Sequence, residues 1–310
     1  MAELSVTIAI PVKDRRERML RCLDAALAQD YPRFDVLVLD NCSTDGTAEA
    51  CRERAADADV PVRVEVLPGS VGRLRNLAAE ISGADVLAFT DSDCIPAPGW
   101  LQAGVAPLEQ RTEVGIVQGR TLPEPGPPAV GWAATQELTD WTGRFEACNL
   151  LVRREALAAV AGFHEEVDMW EDTAAGLSLL RAGWQAAFAA EALVHHDVTW
   201  PGFAWHLRRG MRYGNAAAIV RDYPEARRTL LWGRYFLRPR NAKTAAFALG
   251  LALAPLDRRS LLLTLPYLEM RRPKSPSPGA VRAQLQGAAF DLAILAGMVR
   301  GSIRHRRLVL

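Results

Sequence analysis

Asp91-Ser92-Asp93 is the densest candidate for chemistry in this chain of 310 residues. It directly follows the apolar run Val86-Leu87-Ala88-Phe89, and carboxylates two residues apart on an extended segment project to the same side. Like charges so close call for a cation. Hard oxygen ligands suit Mg²⁺ or Mn²⁺, an ion that keeps some waters and completes its shell with substrate phosphates. Taken alone, the tripeptide reads as readily as a solvated turn with two surface aspartates. Its place at the carboxyl end of a buried strand favours the metal.

Four other segments carry chemistry. Asp40 to Thr47 (DNCSTDGT) closes a second apolar run and opens a helical pattern. Thr44 or Asp45 is a natural N-cap there, which explains Asp45 but leaves Asp40, at the end of the strand, to accept a base N–H from a nucleotide. In Gly69 to Asn76 (GSVGRLRN), glycines ahead of a helix bring backbone N–H groups to an anion, and Arg73 or Arg75 adds charge. This is not Gly-x-Gly-x-x-Gly and lacks a Walker lysine, so neither dinucleotide nor P-loop binding follows. Glu171-Asp172 starts a helix expected to reach Arg181. A helix N-terminus favours an ionised carboxylate and so weakens it as a base, unless burial offsets the effect. Capping explains one of these acids, but less readily two beside Trp170. His195 and His196 follow on a strand whose alternation sends them to opposite faces, so at most one reaches a metal.

The elements that must position these residues alternate. Strand-like runs at Ser5 to Val12, Asp35 to Asp40, Val62 to Leu67 and Asp85 to Thr90 are separated by helical patterns at about Arg15 to Gln29, Thr47 to Ala56 and Val71 to Ser82. Repeated βα units imply a parallel sheet, and runs that are apolar at every position imply helices on both faces. Ligands of such sheets sit beyond the carboxyl ends of the strands, where the segments above lie. Pro123 to Pro128 (PEPGPP) reads as a loop or boundary, and a shorter α/β stretch runs on to about Asp197. After Pro201 the pattern is helical to the end, broken by the low-complexity turn Arg271 to Gly279.

Composition narrows the class. Hydrophobic residues at 49% and charged residues at 24% describe a folded chain, neither disordered nor polytopic. Five cysteines, odd in number and without a Cys-x-x-Cys pair, argue against a disulfide framework or a zinc cage and fit reduced thiols in a cytosol. The net charge of +1 hides a separation: residues 1–207 carry 17 basic and 31 acidic side chains, and residues 208–310 carry 20 and 5. The start does not read as a signal peptide. Thr244 to Leu256 is too short to span a bilayer and Ala283 to Val299 carries Gln284, Gln286 and Asp291, so both read as helices lying on protein or on a membrane surface.

In order, VTIAIPVKDR (Val6 to Arg15), VLVLDNCSTDGT (Val36 to Thr47), GRLRN (Gly72 to Asn76), FTDSDCIPAPGWL (Phe89 to Leu101), Asn149 to Phe163 with its strand, basic pair and Ala-Gly-Phe, WEDTAAGLSLLRAGW (Trp170 to Trp184) and AFAAEALVHHD (Ala187 to Asp197) resemble the family 2 glycosyltransferases. The resemblance covers about residues 4–215 and implies the GT-A fold, an α/β, Rossmann-like, mainly parallel sheet flanked by helices, with a helical C-terminal extension. It implies a nucleotide-sugar-binding half at 1–122, an acceptor-binding and catalytic half at 123–215, and a basic helical extension at 216–310. Pro11 and Asp14 would line the nucleoside, with Asn41, Gly72, Arg75, Asn76 and Ser92 around the donor. Asp40 would hold the uracil edge. Asp91 would lie on the ribose side and near the metal, and Asp93 would ligate Mn²⁺ or Mg²⁺ on the pyrophosphate with His196 beside it. Asp172, paired with Glu171, would be the general base.

The reaction so implied is an inverting transfer of one sugar from a nucleotide-diphosphate sugar, UDP favoured, to an acceptor hydroxyl. Processive synthases of the family carry Gln-x-x-Arg-Trp and several spanning helices, and this chain has neither. The basic tail points to a lipid-linked or envelope saccharide at the inner face of an anionic membrane, rather than to nucleic acid. A soluble natural product or peptide is the alternative acceptor. A nucleotidyltransferase would carry a glycine-rich loop after the first strand, and a non-catalytic scaffold need not keep both Asp93 and Asp172.

Overall fold

A computed structural model describes residues 3–126, 131–273 and 277–310. Parts of the expected loops at Pro123 to Pro128 and Arg271 to Gly279 lie outside these residues. The chain forms two compact units, one of residues 1–129 and 134–199, the other of 130–133 and 200–310.

In the first unit, β1 (Val6–Val12), β2 (Phe34–Asp40), β3 (Val62–Val66) and β4 (Val86–Thr90) pair in parallel in the order β3-β2-β1-β4. The βα reading of the sequence requires this, because α1 (Arg16–Leu27), α2 (Thr47–Ala56) and α3 (Val71–Ile81) are the crossovers. The sheet then turns mixed. β7 (Asn149–Arg153) returns antiparallel to β4 and to β6 (Val114–Pro123). β8 (Gln185–His196) runs parallel to β6, and the short β5 (Cys94–Pro96) closes the edge antiparallel to β8.

Both faces of the sheet are covered. Ile8, Ile10, Val36 and Val38 pack with Met19 and Leu23 of α1 and with Trp100, Leu101 and Val105 of α4 (Trp100–Gln110). Ala9, Leu37, Leu39, Leu87 and Phe89 pack on the other side with Leu74 of α3, Leu157 of α5 (Arg154–Ala158) and Leu179 of α6 (Glu171–Arg181). Alternate residues of β1 and β2 thus enter opposite cores, which is why these strands read as unbroken apolar runs.

The second unit is helical: α7 (Phe203–Arg212), α8 (Ala216–Asp222), α9 (Ala226–Thr229), α10 (Pro239–Leu253), a 3-10 segment (Arg258–Thr264), α11 (Leu265–Met270) and α12 (Pro278–His305). Its centre includes the buried Asp291 of α12, which holds Arg240, Arg271 and the Tyr267 hydroxyl. No helix among the described residues is long and apolar enough to cross a membrane.

Candidate active site

The loops after β1 and β2 are tied together. Asp14, at φ 48°, accepts the Thr44 amide at 2.7 Å, and its own amide donates to Ser43 Oγ at 2.8 Å. Asp45 ties the starts of two helices together, accepting the amides of Arg16 (3.0 Å) and Thr47 (3.1 Å) from outside the N-cap position. The N-cap of α2 is therefore not Thr44 or Asp45 but Gly46, whose φ of 78° suits a residue without Cβ. Pro11 is buried in β1, opposite Leu39 of β2 and beyond the last pair of β1 with β4, Ala9 with Phe89.

Asp40 is fully buried at the end of β2. Its Oδ1 accepts the Ser43 amide at 2.6 Å, while Oδ2 meets no hydrogen-bond partner among the described residues. A buried carboxylate oxygen left open is costly unless something donates to it. Asn41, by contrast, spends both amide atoms on the Gly69 backbone, at 2.8 and 3.1 Å.

The start of α3 is packed against the segment at residues 163–165. Ser70 caps the helix by accepting the Arg73 amide, and Arg73 turns toward Glu80 and Glu165. A Cβ on Gly72 would fall 2.6 Å from the His164 carbonyl oxygen, so this glycine permits backbone contact. Asn76 clamps the same segment, donating to the Phe163 carbonyl and Glu165 and accepting the Phe163 amide.

Arg75 is the hinge of the site. It is 3% exposed and lies over the Phe163 ring, donating from Nη2 to Asp91 Oδ1 and from Nη1 to Glu171 Oε1, each at 2.8 Å. Burial works against its charge, but Asp91, Glu171 and Asp172 outweigh that and hold the guanidinium above its ordinary pKa. Two segments far apart in sequence are thereby joined through one cation.

The three residues expected at a metal divide into two groups. Asp91 faces Arg75, Ser92 is buried, and Asp93 pairs with Arg15 while its Oδ1 lies 3.8 Å from His196 Nε2. Both of these atoms can reach one ion at about 2.1 Å. His196 Nδ1 lies 2.8 Å from the Asp197 carbonyl, which can only accept, so in the neutral ring the proton sits on Nδ1 and leaves the Nε2 lone pair to a ligand. The donor set therefore fits Mn²⁺ or Mg²⁺. Cys94 shares the cluster, but burial pushes its thiol well up, which keeps it protonated and unsuited to a hard cation. His195, opposite Ile95, is not part of it.

Glu171 and Asp172 open α6 behind Trp170, which takes φ 78° with the Arg144 guanidinium 5.7 Å from its ring. Asp172 accepts the Ala147 amide at 3.1 Å and the Thr173 amide at 2.7 Å. Burial, then the charge of Glu171, push its carboxyl well above the usual range; Arg75 and the Ala147 N–H pull the other way and do not prevail.

Sequence reasoning does not single out the Arg15 pairing or the loop that grips α6. In that loop Thr173 Oγ1 donates to the Arg144 carbonyl at 2.6 Å, and the Phe145 ring fills the space where a Cβ on Gly176 would lie, 2.1 Å from its Cδ2. A basic pair after the first strand and a glycine inside a helical pattern are the available signals.

Residues 7–159 match the family described as Glycosyl transferase family 2, and residues 86–270 match Glycosyl transferase family group 2. The chain is 30% identical over 226 residues to Glycosyltransferase AglE of Haloferax volcanii, covering 69% of this chain and 73% of that protein. In structure it is similar to the mannosyltransferase PcManGT of Pyrobaculum calidifontis, solved in complex with GDP-Man and Mn²⁺, with a TM-score of 0.63 at 19% identity over 99% of this chain and 88% of the other. It is also similar to Staphylococcus aureus TarS in complex with UDP-GlcNAc, with a TM-score of 0.53 at 15% identity over 98% and 93%. With Asp-x-Asp at the end of β4, Glu-Asp at the start of α6 and a mixed sheet beneath both, the chain belongs to glycosyl transferase family 2 and has the GT-A fold.

Proposed function

We propose that the protein transfers one sugar from a nucleotide-diphosphate sugar, UDP favoured, to an acceptor hydroxyl with inversion, in a reaction dependent on Mn²⁺ or Mg²⁺. The observation that carries this reading is the Arg75 bridge, which holds the Asp91 loop and the Glu171-Asp172 pair in one electrostatic cluster. PcManGT and TarS, bound to GDP-Man and UDP-GlcNAc, support a nucleotide sugar as donor.

In this reading Asp40 accepts a base N–H at its buried, unpartnered Oδ2, and Pro11, Asp14, Asn41, Gly72, Asn76 and Ser92 form or brace the donor's surroundings. Asp93 and His196 hold the ion, which when bound stabilises negative charge on the departing diphosphate. Asp172 takes the proton of the acceptor hydroxyl as that oxygen attacks the anomeric carbon. A raised pKa suits this, because a base works best with a pKa near the working pH. Attack and departure on opposite faces need one base and no carboxylate nucleophile. The acceptor is a lipid-linked or envelope saccharide, and the basic C-terminal helices make peripheral contact with an anionic membrane.

Incubation with UDP-, GDP- and dTDP-sugars and Mn²⁺ tests the reading through release of nucleoside diphosphate and the anomeric configuration of the product. Turnover lost in Asp172→Asn, with an inverted product in the parent, is expected. Tight nucleotide binding without turnover of any donor points instead to a scaffold.

A further inference from the structure

The segment from α10 to α11 is built inside out. Its buried residues are polar or small: Asn241, Thr244 and Gly250 of α10, then Thr264 and Tyr267. Its leucines face outward, with Leu256 85% exposed, Leu262 67% and Leu265 55%. The 3-10 segment is fastened to α10 through small groups: a Cβ on Gly250 would lie 2.8 Å from the Ser260 carbonyl oxygen, and Ser260 Oγ donates to the Gly250 carbonyl at 2.9 Å. Phe247, Leu251, Leu261 and Leu268 complete an apolar groove with Arg258 and Arg259 beside it.

The longest helix repeats the pattern. Gly297 and Gly301 of α12 meet Met211 and Gly214 backbone to backbone, where added Cβ atoms would fall 2.3 and 2.1 Å from carbonyl oxygens. Leu285 and Ile303 on the same helix are exposed, and Arg300 and Arg304 flank its apolar strip. Leucines outside are disfavoured in water and natural against hydrocarbon, where small residues let helices approach and polar groups turn inward.

Charge distinguishes the occupants. Residues 208–310 carry 20 basic against 5 acidic side chains. A second copy seated on the same surface by a two-fold axis would oppose arginine to arginine. An anionic bilayer receives the leucines below its headgroups and the arginines among them, and helices too short or too polar to span can still lie at that boundary.

We propose that the helical unit docks on an anionic bilayer through the α10–α11 surface, inserting Leu256, Leu262 and Leu265 with Arg258 and Arg259 at the headgroups. This rests on the membrane contact put forward above and not on the sugar-transfer chemistry.

The test is sedimentation of the full chain with vesicles of phosphatidylcholine, alone or with about 30% phosphatidylglycerol. The protein is expected to bind the anionic vesicles roughly tenfold or more tightly. Leu256→Asp/Leu262→Asp should lose binding to both compositions with an unchanged unfolding temperature, since these side chains are exposed. Arg258→Glu/Arg259→Glu should lose the anionic preference. Absence of binding by the parent protein, or undiminished binding by the leucine variant, overturns the proposal. So does a dimer in sedimentation velocity that the leucine variant dissociates, which assigns the surface to self-association. Sugar-nucleotide turnover measured without vesicles reads the transferase assignment separately.

Discussion

Arg75 grips Asp91 with one terminal nitrogen and Glu171 with the other, both at 2.8 Å, from a side chain 4% exposed. A planar fork can serve two carboxylates at once, whereas a lysine ammonium at the same depth offers one point charge on a different stem. Arg75→Ala leaves Glu171 buried without its partner and is expected to cost about 3–5 kcal/mol in urea unfolding. Arg75→Lys should recover only part of this. Both variants should lose transfer activity beyond what residual folding explains.

Asp172 links stability to pH in a direction that can be checked. Its folded-state pKa is raised, first by burial and then by Glu171, so the folded protein holds this proton more tightly than the unfolded chain. The resulting stabilisation is complete below about pH 4, the unfolded carboxyl value, and is lost as pH rises through the folded pKa. Asp172→Asn stays neutral throughout. Its Tm relative to the parent should climb with pH over this window, each tenfold difference in proton affinity between the folded and unfolded chains being worth about 1.4 kcal/mol. The acid limb of kcat/KM in the parent should likewise lie well above the ordinary carboxylate range.

With Asp93 in the proposed metal site, Arg15 and the ion would compete for one carboxylate. The guanidinium is paired with Asp93 Oδ2, while Oδ1 faces His196. In a thermal-shift titration with Mn²⁺ and UDP, Asp93→Ala should abolish the metal-dependent rise in Tm. Arg15→Ala should lower the Mn²⁺ concentration needed for that rise severalfold in the absence of nucleotide. An unchanged shift in Asp93→Ala removes that residue from the metal site.

Gly176 tests whether the loop ahead of β7 supports the base. With Phe145 Cδ2 2.1 Å from the position of a new Cβ, Gly176→Ala must displace the ring, at about 1–3 kcal/mol for overpacking. The same loop carries the Ala147 amide that donates to Asp172. The variant should therefore lower kcat more than its loss of stability predicts, with little change in nucleotide affinity by calorimetry.

The parallel half of the sheet is legible because each strand there is a local run between turn signals, mainly apolar in β1, β2 and β4 and alternating in β3. Thr47 to Ala56 reads as a helix and is one, and Val86 to Thr90 ends where the acidic turn begins. The antiparallel return is not legible. Asn149–Arg153 inserts between β4 and β6 through partners distant in sequence, and no local pattern states which neighbours a strand will choose. The candidate site divides in the same way. The acids can be found from their positions at strand and helix ends, whereas Arg15 and Arg75 can be placed against Asp93, Asp91 and Glu171 only in three dimensions. Asn41 and Asn76 show the converse: motif membership singles them out, and their amides are occupied by Gly69 and by the Phe163–Glu165 segment.

The lacing of Asp14 to Ser43 and Thr44, and of Asp45 to Arg16 and Thr47, constrains how this enzyme can be re-engineered. A graft that replaces only the peptide following β1 strips Asp45 of one helix start and Thr44 of its acceptor. Chimaeras with other family members will therefore tolerate exchange of 13–16 and 41–47 as a matched pair, and swapping either alone will unseat the recipient's rim.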